Sequence, residues 1–369
     1  MKTLDNKRIA IVHDYLKEYG GAERVLEELI KIFPNADVYT SVYIPEFLGP
    51  HRERFKTYKI HTSGLQYFPL KEKLISPFRL FAPLAFAGMD LRAYDKIIVS
   101  QTGAYFPNLI NKGNAKVICY THTPPRYLYG YATARDWKSS KIKLAVGSLM
   151  GHALRIVDYR SSQNVDEFIA NSEETASRIK KFYKRDATVI YPPVDIPVKK
   201  TFKKEGFYLT GGRLARAKGT DIIIRAFNKN GKKLKVFGRG FAGYEEELKA
   251  MAKQNIEFLG EVTDEEKIRL MSLSKAFIFA SFDEDFGITP VEAMGAGTPV
   301  VAFRSGGVKE TVVDGKTGIF FDHNTPEALN AALEKFEKKT FTQDALAKQA
   351  QKFSAKTFDG KMIKIVEKD

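Results

Sequence analysis

Short apolar runs that alternate with helical patterns constrain the fold of this 369-residue chain more than any other feature. In the first half, such runs rich in Ile and Val occupy residues 8–13, 96–100, 116–120, 167–170 and 188–191. Residues 22–33, which follow the first run, have apolar side chains at helical spacing. Strands that are apolar throughout and separated by helices are typical of a parallel sheet with helices on both faces.

A second alternating set follows residues 192–204, a proline- and lysine-rich stretch with the composition of a linker. Strands are predicted at residues 207–210, 233–237, 256–259, 276–280 and 299–303, with helices at 219–227, 244–252 and 264–273. We therefore predict an α/β fold with two doubly wound parallel-sheet domains that join near residue 197. Ligands of such sheets bind beyond the carboxyl ends of the strands, so a cleft between the domains is the expected site.

The charge of the chain indicates an anionic partner. It has 59 Lys and Arg residues against 44 Asp and Glu, a net charge of +15, which suits nucleic acid, lipid headgroups or a phosphorylated ligand. The otherwise ordinary composition excludes a disordered or collagen-like chain. The single cysteine, Cys119, excludes an intramolecular disulfide and a cysteine-built metal site, and favours the reducing cytoplasm. No apolar run approaches the ~20 residues of a membrane span, so a soluble or peripheral protein is expected.

The segment 281–299 has the features of an anion site. A predicted strand precedes it, Gly287 marks a turn, and Pro290 lies where a helix would begin. The free N–H groups of such a helix start, together with its dipole, attract phosphate. Glu284 and Glu292 would offer acceptors to the hydroxyl groups of a sugar. A solvated acidic turn before a helix is the alternative that this pattern leaves open.

Two glycine loops lie at comparable positions in the two domains. Residues 210–219 follow the first strand of the second domain, where Arg213 and Lys218 could converge on one diphosphate and Arg216 is a weaker candidate. In the first domain, Gly20-Gly21 precedes the first helix. The respective alternatives are a basic loop in a basic protein and a plain turn.

Two further patterns match known ligand-binding motifs, but we do not predict the corresponding ligand sites. Residues 238–243 form a G-x-G-x-x-G pattern, but it follows the second strand of its domain, so we interpret it as a tight turn near the nucleotide. Asp283-Glu284-Asp285 forms a D-x-D pattern, which could hold a divalent ion against a diphosphate. Because it lies inside a longer and more specific series of motifs, we expect no metal site there.

That series resembles a known donor site. FGITPVE, residues 286–292, is followed by EAMGAGTPVV, by the glycine pair 306–307 and by ETV at 310–312. The series resembles the donor-site signature of the retaining family 4 glycosyltransferases, which have the GT-B architecture. In the first domain, HTPPRY at 122–127 is similar to an element of a mannosyltransferase-like subgroup of that family. The resemblance covers most of the chain and is looser before residue 169.

The resemblance implies two Rossmann-like doubly wound parallel-sheet domains that face each other across a cleft. The N-terminal domain, residues 1–197, would bind the acceptor, and the C-terminal domain, residues 198–350, would bind the nucleotide-sugar. A C-terminal helix within 351–369 would return toward the N-terminal domain.

The resemblance also implies roles for individual residues. Glu284 would contact the transferred sugar and Glu292 the ribose, while Arg213 and Lys218 would bind the leaving group. His122 would contact the donor sugar close to the reacting carbon, and it completes the predicted catalytic set with Glu284, Arg213 and Lys218. The other predicted donor contacts are Gly20, Gly21, Val262, Phe286, Gly287, Ile288 and Thr289. Two acceptor contacts are predicted: Asp14, from its position just past the first strand, and Arg126, which could instead contact a phosphate.

Membership of this family would make the protein a retaining hexosyltransferase without a cofactor or a metal ion. The subgroup favours mannose from GDP-mannose, transferred to a glycan or lipid-linked acceptor in the assembly of cell-surface polysaccharide or glycolipid. A UDP-sugar donor is the main alternative, and a UDP-sugar epimerase of the same architecture is another. A nucleic-acid-binding protein would fit the net charge alone, but Glu284 and Glu292 would repel a phosphate backbone.

The excess of positive charge is concentrated in one part of the chain. Residues 51–160 contain 18 Lys and Arg against 6 Asp and Glu, and between 67 and 81 the cations alternate with apolar and aromatic side chains. Such a mixture suits an anionic bilayer surface, which predicts a cytoplasmic protein that is peripheral at the inner face of the cytoplasmic membrane. The alternative is that residues 74–86 pack in the core and the lysines only solvate them.

Overall fold

The computed structural model describes residues 7–131, 141–197, 203–240 and 243–368. Within these residues the chain forms two compact units. The first contains the described residues up to Gly130, those from 141 to Pro193, and the C-terminal segment from Ala355. The second contains Tyr131 and the described residues from Val194 to Ser354.

The first unit is built on a seven-stranded parallel sheet within the described residues. Its strands are β1 (Ile9–His13), β2 (Asp37–Thr40), β3 (Ile60–Thr62), β4 (Lys96–Gln101), β5 (Lys116–Thr121), β6 (Glu167–Ala170) and β7 (Ala187–Val189). Its helices up to β7 are α1 (Gly21–Ile32), α2 (Ala82–Ala87), α3 (Arg126–Tyr129), α4 (Lys141–Gln163) and α5 (Glu173–Tyr183). The strand order is β3-β2-β1-β4-β5-β6-β7, so the direction of winding reverses between β1 and β4. We call the carboxyl ends of these two strands the first switch point.

The second unit repeats this plan with a six-stranded parallel sheet in the part of the chain that the structure describes. Its strands are β8 (Phe207–Gly211), β9 (Lys233–Phe237), β10 (Ile256–Gly260), β11 (Phe277–Phe279), β12 (Val300–Phe303) and β13 (Gly318–Phe321). Its helices are α6 (Thr220–Asn230), α7 (Tyr244–Met251), α8 (Asp264–Leu273), α9 (Ile288–Gly295), α10 (Val308–Thr311), α11 (Pro326–Glu337) and α12 (Gln343–Gln351). The order is β10-β9-β8-β11-β12-β13, so the second switch point lies at the carboxyl ends of β8 and β11.

The last helix, α13 (Ala355–Glu367), belongs to the first unit. Its buried residues Phe358, Met362 and Val366 share a hydrophobic cluster with β1 and α1 on one face of the first sheet. The Phe358 ring packs edge-on against Tyr120 of β5, with the ring centroids 5.7 Å apart. Complete burial of a side chain of this size is worth about 1.5–3 kcal/mol, so α13 is part of the fold of this unit rather than a loose tail.

Strong apolar periodicity explains most of these elements. All five residues of β1 are buried, as a central parallel strand requires, and α1 buries Val25, Leu26, Leu29 and Ile30 on one side. Several helices begin at residues whose side chains accept a hydrogen bond from the first turn, for example Ser172 before α5 and Thr263 before α8. Local sequence and sheet packing therefore agree at these elements.

The predicted pair of doubly wound parallel sheets is confirmed, with two differences in detail. The strand predicted at 188–191 instead occupies Ala187–Val189, because Pro192 and Pro193 stop the chain from pairing further. The strands β2 and β3 were not predicted, because DVYT and IHT contain polar side chains in place of an apolar run, and the apolar run GIFF of β13 was missed as well. Among the described residues, no helix is both long enough and apolar enough to span a bilayer.

Candidate functional site

The two loops of the second switch point are tied together at close range. The N–H of Phe282, after β11, donates to the carbonyl of Ala217, after β8, over 2.8 Å. Gly219 permits this approach, because a Cβ atom there would lie 2.4 Å from the carbonyl oxygen of Ala280 and its φ is 64°. The glycine of the 210–219 loop is thus needed to bring the two strand ends into contact.

Lys218 and Glu284 meet where these loops join. The Lys218 Nζ lies 2.7 Å from Glu284 Oε2, and the hydroxyl of Ser281 donates to the same carboxylate oxygen over 2.5 Å. The Glu284 side chain is 14% exposed and that of Lys218 is 38% exposed, so the cation faces solvent more than the carboxylate does. Two of the predicted catalytic residues are therefore brought together, with opposite charges at an open end of the sheet.

The backbone of Glu284 is held by a pair of glycines. The N–H of Gly307 donates to the Glu284 carbonyl over 2.7 Å. A Cβ at Gly306 would lie 2.1 Å from that carbonyl oxygen, and a Cβ at Gly307 would lie 2.4 Å from the carbonyl oxygen of Asp285. Side chains at either position would push the Glu284 loop away, which gives the spelling Gly306-Gly307 a physical role that the sequence pattern alone does not reveal.

Helix α9 begins directly after this loop. Its N-cap is Gly287, with φ at 93°, and no side chain among the described residues caps it. The first turn contains Ile288, Thr289 and Pro290, so the two backbone N–H groups that precede the proline lie at the positive end of the helix dipole. The side chain of Phe286 is buried and packs against Phe353, which leaves its backbone as its part of the predicted diphosphate site.

The second predicted glutamate lies further along α9 and has a different partner. Glu292 is buried and its carboxylate contacts the Nζ of Lys267, on α8, at 2.8 Å. Lys267 also contacts Asp264 at 3.1 Å. Glu292 and Glu284 thus each have a lysine partner, and these partners come from different elements.

The remaining predicted residues of this unit lie in loops that follow β8 and β10. Arg213 is exposed in the loop after β8, and Val262 is half-buried in the loop after β10. Arg216, the weaker candidate, donates to both carboxylate oxygens of Glu247 at 2.7 and 2.8 Å. The G-x-G-x-x-G segment begins at Gly238, where a Cβ would lie 1.8 Å from the carbonyl oxygen of Gly212, so this glycine serves the contact between two loops.

At the first switch point, Asp14 is completely buried and organises the loop after β4. Its Oδ2 accepts hydrogen bonds from the N–H groups of Thr102, Ala104 and Tyr105, at 3.0 to 3.2 Å, and from the Thr102 hydroxyl at 2.5 Å. Burial raises the pKa of Asp14 despite these donors. The predicted acceptor contact is therefore also a structural residue, and only its Oδ1 has no partner among the described residues.

His122 follows β5, which β4 separates from β1, and it is linked to a row of buried polar side chains. Its Nε2 is 2.9 Å from the Ser100 hydroxyl, which is 3.1 Å from His13 Nδ1. The Nε2 of His13 lies 3.6 Å from Glu23 Oε1, and Glu23 Oε2 accepts the N–H of Gly20 over 2.9 Å. Burial, with a smaller contribution from His13, lowers the pKa of His122 to about 3, so its ring is neutral at physiological pH.

Sequence reasoning missed three members of this row. Ser100 and His13 are register partners in adjacent strands, and only the paired sheet shows that their side chains meet. Glu23 lies in the spelling GGAER, where the glycines drew attention and the glutamate did not. A strand-end His followed ten residues later by a Glu in the first turn of a helix is the signal that could have found them.

The other predicted residues of the first unit lie in segments that follow its strands. Gly20 and Gly21 form the start of α1, and Arg126 begins the short helix α3 after β5. The Arg79 guanidinium lies over the ring of the neighbouring Tyr127, 4.5 Å from its centroid, in a cation–π contact. In the described part of the chain, no three His, Cys, Asp or Glu side chains are grouped so that they could hold a metal ion.

Two family profiles match most of this chain. The family profile described as "Glycosyltransferase Family 4" matches residues 19–197, and that described as "Glycosyl transferases group 1" matches residues 194–353. The alpha-1,3/1,6-mannosyltransferase ALG2 of Dictyostelium discoideum is 28% identical, with 98% of each chain covered. Its human counterpart is 24% identical, with 74% of this chain and 73% of that protein covered.

Solved structures show the same fold at lower sequence identity. HepE of Anabaena, in complex with UDP and glucose, superposes with a TM-score of 0.70 at 20% identity and covers 98% of this chain and 99% of its own. Sucrose-phosphate synthase of Thermosynechococcus elongatus gives a TM-score of 0.73 at 17% identity, with 98% of each chain covered.

Proposed function

Because this chain belongs to family 4 of the glycosyltransferases and has the GT-B fold, we propose that it is a retaining hexosyltransferase that moves mannose from a nucleotide-sugar to a glycan or lipid-linked acceptor. The contact between Lys218 and Glu284 at the second switch point carries this proposal. A transferred sugar with a diphosphate leaving group needs both an acceptor for its hydroxyl groups and a cation for its phosphates. The two side chains supply these functions side by side.

The leaving group would be bound by positive charge that is already in place. Lys218 Nζ and the first N–H groups of α9 lie on elements joined by the Phe282–Ala217 hydrogen bond. Fixed donors that face the developing charge of a departing diphosphate stabilise the transition state more than the ground state. We assign Arg213 to the same diphosphate, Glu284 to the sugar hydroxyls, and Glu292 to the ribose.

We propose front-face displacement as the chemical step. The bond between the anomeric carbon and the phosphate oxygen breaks, the bond to the acceptor oxygen forms on the same face, and the departing phosphate oxygen takes the acceptor proton. Glu284 is engaged by Lys218 and Ser281, which favours its assignment to sugar hydroxyls over a role as a nucleophile. No metal ion or cofactor takes part in this proposal. A trapped covalent adduct between the sugar and Glu284 would overturn it.

The identity of the donor divides this proposal into two testable forms. The ALG2 relatives are named as mannosyltransferases, which favours a mannosyl donor, and the HTPPRY spelling favours GDP-mannose within that class. HepE was solved with UDP-glucose, which keeps a UDP-sugar as the rival donor. Base recognition near Val262 would decide between them.

A donor panel tests the proposal. The melting temperature is measured with GDP, UDP and ADP, since a ligand that binds only the folded chain raises it. Slow hydrolysis of GDP-mannose, UDP-glucose and UDP-galactose is then followed by release of the nucleoside diphosphate. We expect a shift with GDP and release from GDP-mannose. A response restricted to UDP and its sugars replaces the donor but keeps the enzyme class, whereas no response to any nucleotide contradicts the assignment.

We further propose that a lipid-linked acceptor is reached at an anionic membrane through one exposed surface of the first unit. This apolar surface consists of Tyr67, Phe68, Leu70, Leu80, Phe81 and Leu84, whose exposure ranges from 44% to 85%. Phe78, Ala82 and Phe86, which alternate with them, are buried, so only part of residues 74–86 packs in the core. Lys71 and Lys73 lie among these residues and match the charge of an anionic bilayer.

The apolar surface also lies next to a predicted acceptor contact. Arg79, which directly precedes Leu80 of this surface, packs its guanidinium over the ring of Tyr127. Tyr127 in turn follows Arg126 directly. A membrane bound there would present a lipid-linked substrate near Arg126. This link supports the membrane proposal beyond the bare exposure of apolar side chains.

Vesicle sedimentation tests this part of the proposal. The double variant Phe81→Ser with Leu84→Ser should lose most of its binding to phosphatidylglycerol vesicles at low salt, because it removes exposed apolar area without changing charge. Ile156→Ser, at an exposed position of α4 outside the apolar surface, is the matched control and should bind as the wild type does. Wild-type protein that stays in solution would refute the membrane proposal and leave the donor assignment intact.

A further inference from the structure

We infer that Glu23, His13 and Ser100 are positioning residues that fix the proton of His122 on Nε2, so that Nδ1 presents a lone pair to a substrate hydroxyl. The four side chains come from α1, β1, β4 and β5 and form one continuous row inside the first unit. Glu23 lies at its far end from His122, so it would act on His122 only through the residues between.

The direction of the row follows from counting hydrogens. Glu23 Oε2 accepts the Gly20 N–H, and its other oxygen faces His13 Nε2 at 3.6 Å, so an N–H at that nitrogen is favoured over a lone pair. We assign the lone pair of His13 to Nδ1, which then accepts the hydroxyl proton of Ser100. The Ser100 oxygen has its own lone pairs left for His122, whose Nε2 must therefore carry the proton.

Burial makes this ordering matter. His13 and Ser100 are completely buried, and Glu23 and His122 are 6% and 8% exposed, so water does not compete for these hydrogen bonds. In such surroundings a mismatched pair of donors or acceptors is strongly unfavourable, because neither group can bond to water instead. The low pKa of His122, which burial causes, keeps the second proton off the ring, so the tautomer alone decides what Nδ1 offers.

The free end of the row points to a ligand. No described residue forms a hydrogen bond with His122 Nδ1. Along the rest of the row, only the pair of His13 Nε2 and Glu23 Oε1, which are 3.6 Å apart, lies beyond hydrogen-bond distance. A lone pair there accepts a hydroxyl, and it repels another acceptor such as a phosphate oxygen. The identity of that hydroxyl, on the sugar or on the acceptor, rests on the proposed function.

Glu23 also connects this row to the glycine loop. Its Oε2 holds the N–H of Gly20, at the start of α1, while Oε1 faces His13. A Cβ at Gly20 would lie 3.3 Å from the same carboxylate oxygen, so the glutamate packs directly under the loop. One carboxylate thus sets both the geometry of the glycine loop and the proton order that ends at His122.

The variant Glu23→Gln should reverse the proton order. The amide oxygen would stay on the Gly20 N–H, which leaves the NH₂ group facing His13 Nε2. His13 would then carry its proton on Nδ1 and donate to Ser100, and Ser100 would donate to His122 Nε2. The proton of His122 would move to Nδ1, so the atom that faces the substrate would change from an acceptor to a donor.

Nitrogen-15 NMR of the histidine side chains measures this directly. The chain has six histidines, and a His122→Asn sample identifies the signals of His122. We expect the protonated nitrogen of His122 to be Nε2 in the wild type and Nδ1 in Glu23→Gln. Glu27→Gln is the matched control, because Glu27 lies on the same helix but contacts Tyr19 and Arg54. It should leave the tautomer unchanged.

The outcomes are separable from those of the proposed function. A wild-type His122 with its proton on Nδ1, a doubly protonated His13, or an unchanged tautomer in Glu23→Gln would overturn the inference whether or not the protein transfers sugar. If Glu23→Gln does not fold, Ser100→Ala replaces it, and loss of a single defined tautomer at His122 is the expected result. A single Nε2–H tautomer that persists in Ser100→Ala would contradict the inference.

Activity gives a second readout once a donor is known. Glu23→Gln should lower kcat/KM for transfer by about tenfold to hundredfold, the effect of exchanging a good hydrogen bond for a repulsive contact. In Ser100→Ala, where the row is broken, adding Glu23→Gln should have no further effect on kcat. A purely structural role of Glu23 would give the same additional loss in both backgrounds.

Discussion

The two switch points occupy the same place in two similar sheets, but they handle charge in opposite ways. At the first, His122, whose ring is neutral, joins Ser100 and His13 in a buried row of hydrogen bonds. At the second, Lys218 faces Glu284 as an ion pair whose lysine is 38% exposed. Partial solvation makes a charge tolerable at the second switch point, and dry packing favours neutral groups at the first.

This difference fits the two halves of a transfer reaction. A leaving diphosphate brings negative charge and needs a cation, whereas hydroxyl groups need oriented donors and acceptors. Both sheets have a switch point at the carboxyl ends of two neighbouring strands. The side chains at the two switch points differ in burial and in chemistry. Variants of individual residues test whether the two switch points differ in this way.

The largest effect is expected at the second switch point. Lys218→Ala should lower kcat/KM for transfer by about 10²–10³-fold, since it removes a fixed cation from the leaving group. Steady-state kinetics with the donor found in the panel measures this. Lys232→Ala is the control, because Lys232 pairs with Glu337 in the same unit at a similar exposure. Equal losses in both variants would show that the effect is one of general charge or stability.

The glycines of the two sites should differ in their tolerance of a side chain. Gly306→Ala places a Cβ 2.1 Å from a backbone oxygen at a φ of 67°, so we expect a loss of about 2–4 kcal/mol in the free energy of unfolding. Gly20→Ala meets only a side-chain oxygen at 3.3 Å, so its cost should stay below about 1 kcal/mol. Chemical denaturation of both variants measures the difference, and equal costs would contradict the close packing around Glu284.

A pH effect on stability extends the comparison to a second buried group of the first unit. Burial raises the pKa of Asp158 to about 7, even though the hydroxyls of Tyr129 and Tyr183 donate to it at 2.7 and 3.1 Å. The folded chain therefore holds this proton more tightly than the unfolded chain, whose value is 3.8. Stability from this group is fully present below about pH 4 and is lost as pH rises toward 7.

Asp158→Asn should remove that loss. The free energy of unfolding of the wild type, measured by urea denaturation between pH 4.5 and 7.5, should fall more steeply with pH than that of the variant. Because other groups titrate in the same range, the difference in slope between the two proteins, rather than the wild-type slope alone, reports on Asp158. A variant whose stability has the same slope as the wild type would show that Asp158 is charged in the fold.

Much of the architecture was predictable because it depends on local patterns. The apolar runs gave the central strands of both sheets, the signature around FGITPVE singled out Glu284, and the glycine loop 210–219 singled out Lys218. The family and the two parallel sheets are confirmed. The roles assigned to individual site residues stay predictions, and the variants above test them.

What the sequence did not reveal depends on contacts between distant segments. His13 and Ser100 are 87 positions apart, and only strand register brings them together. Gly306 and Gly307 follow Glu284 by more than twenty residues, and their closeness to its carbonyl group appears only in the folded loop. Asp14 was predicted for its position alone, and the sequence could not show that four donors occupy one of its oxygens.

Calorimetric titration of GDP and UDP into the wild type, Lys218→Ala and Lys232→Ala tests most directly the claim that the second switch point binds a donor diphosphate. One of the two nucleotides should bind the wild type, and Lys218→Ala should weaken that binding at least about tenfold, as the loss of a charge-assisted contact does. Lys232→Ala should bind as the wild type does. Unaltered affinity in Lys218→Ala, or no binding of either nucleotide to the wild type, would contradict the claim.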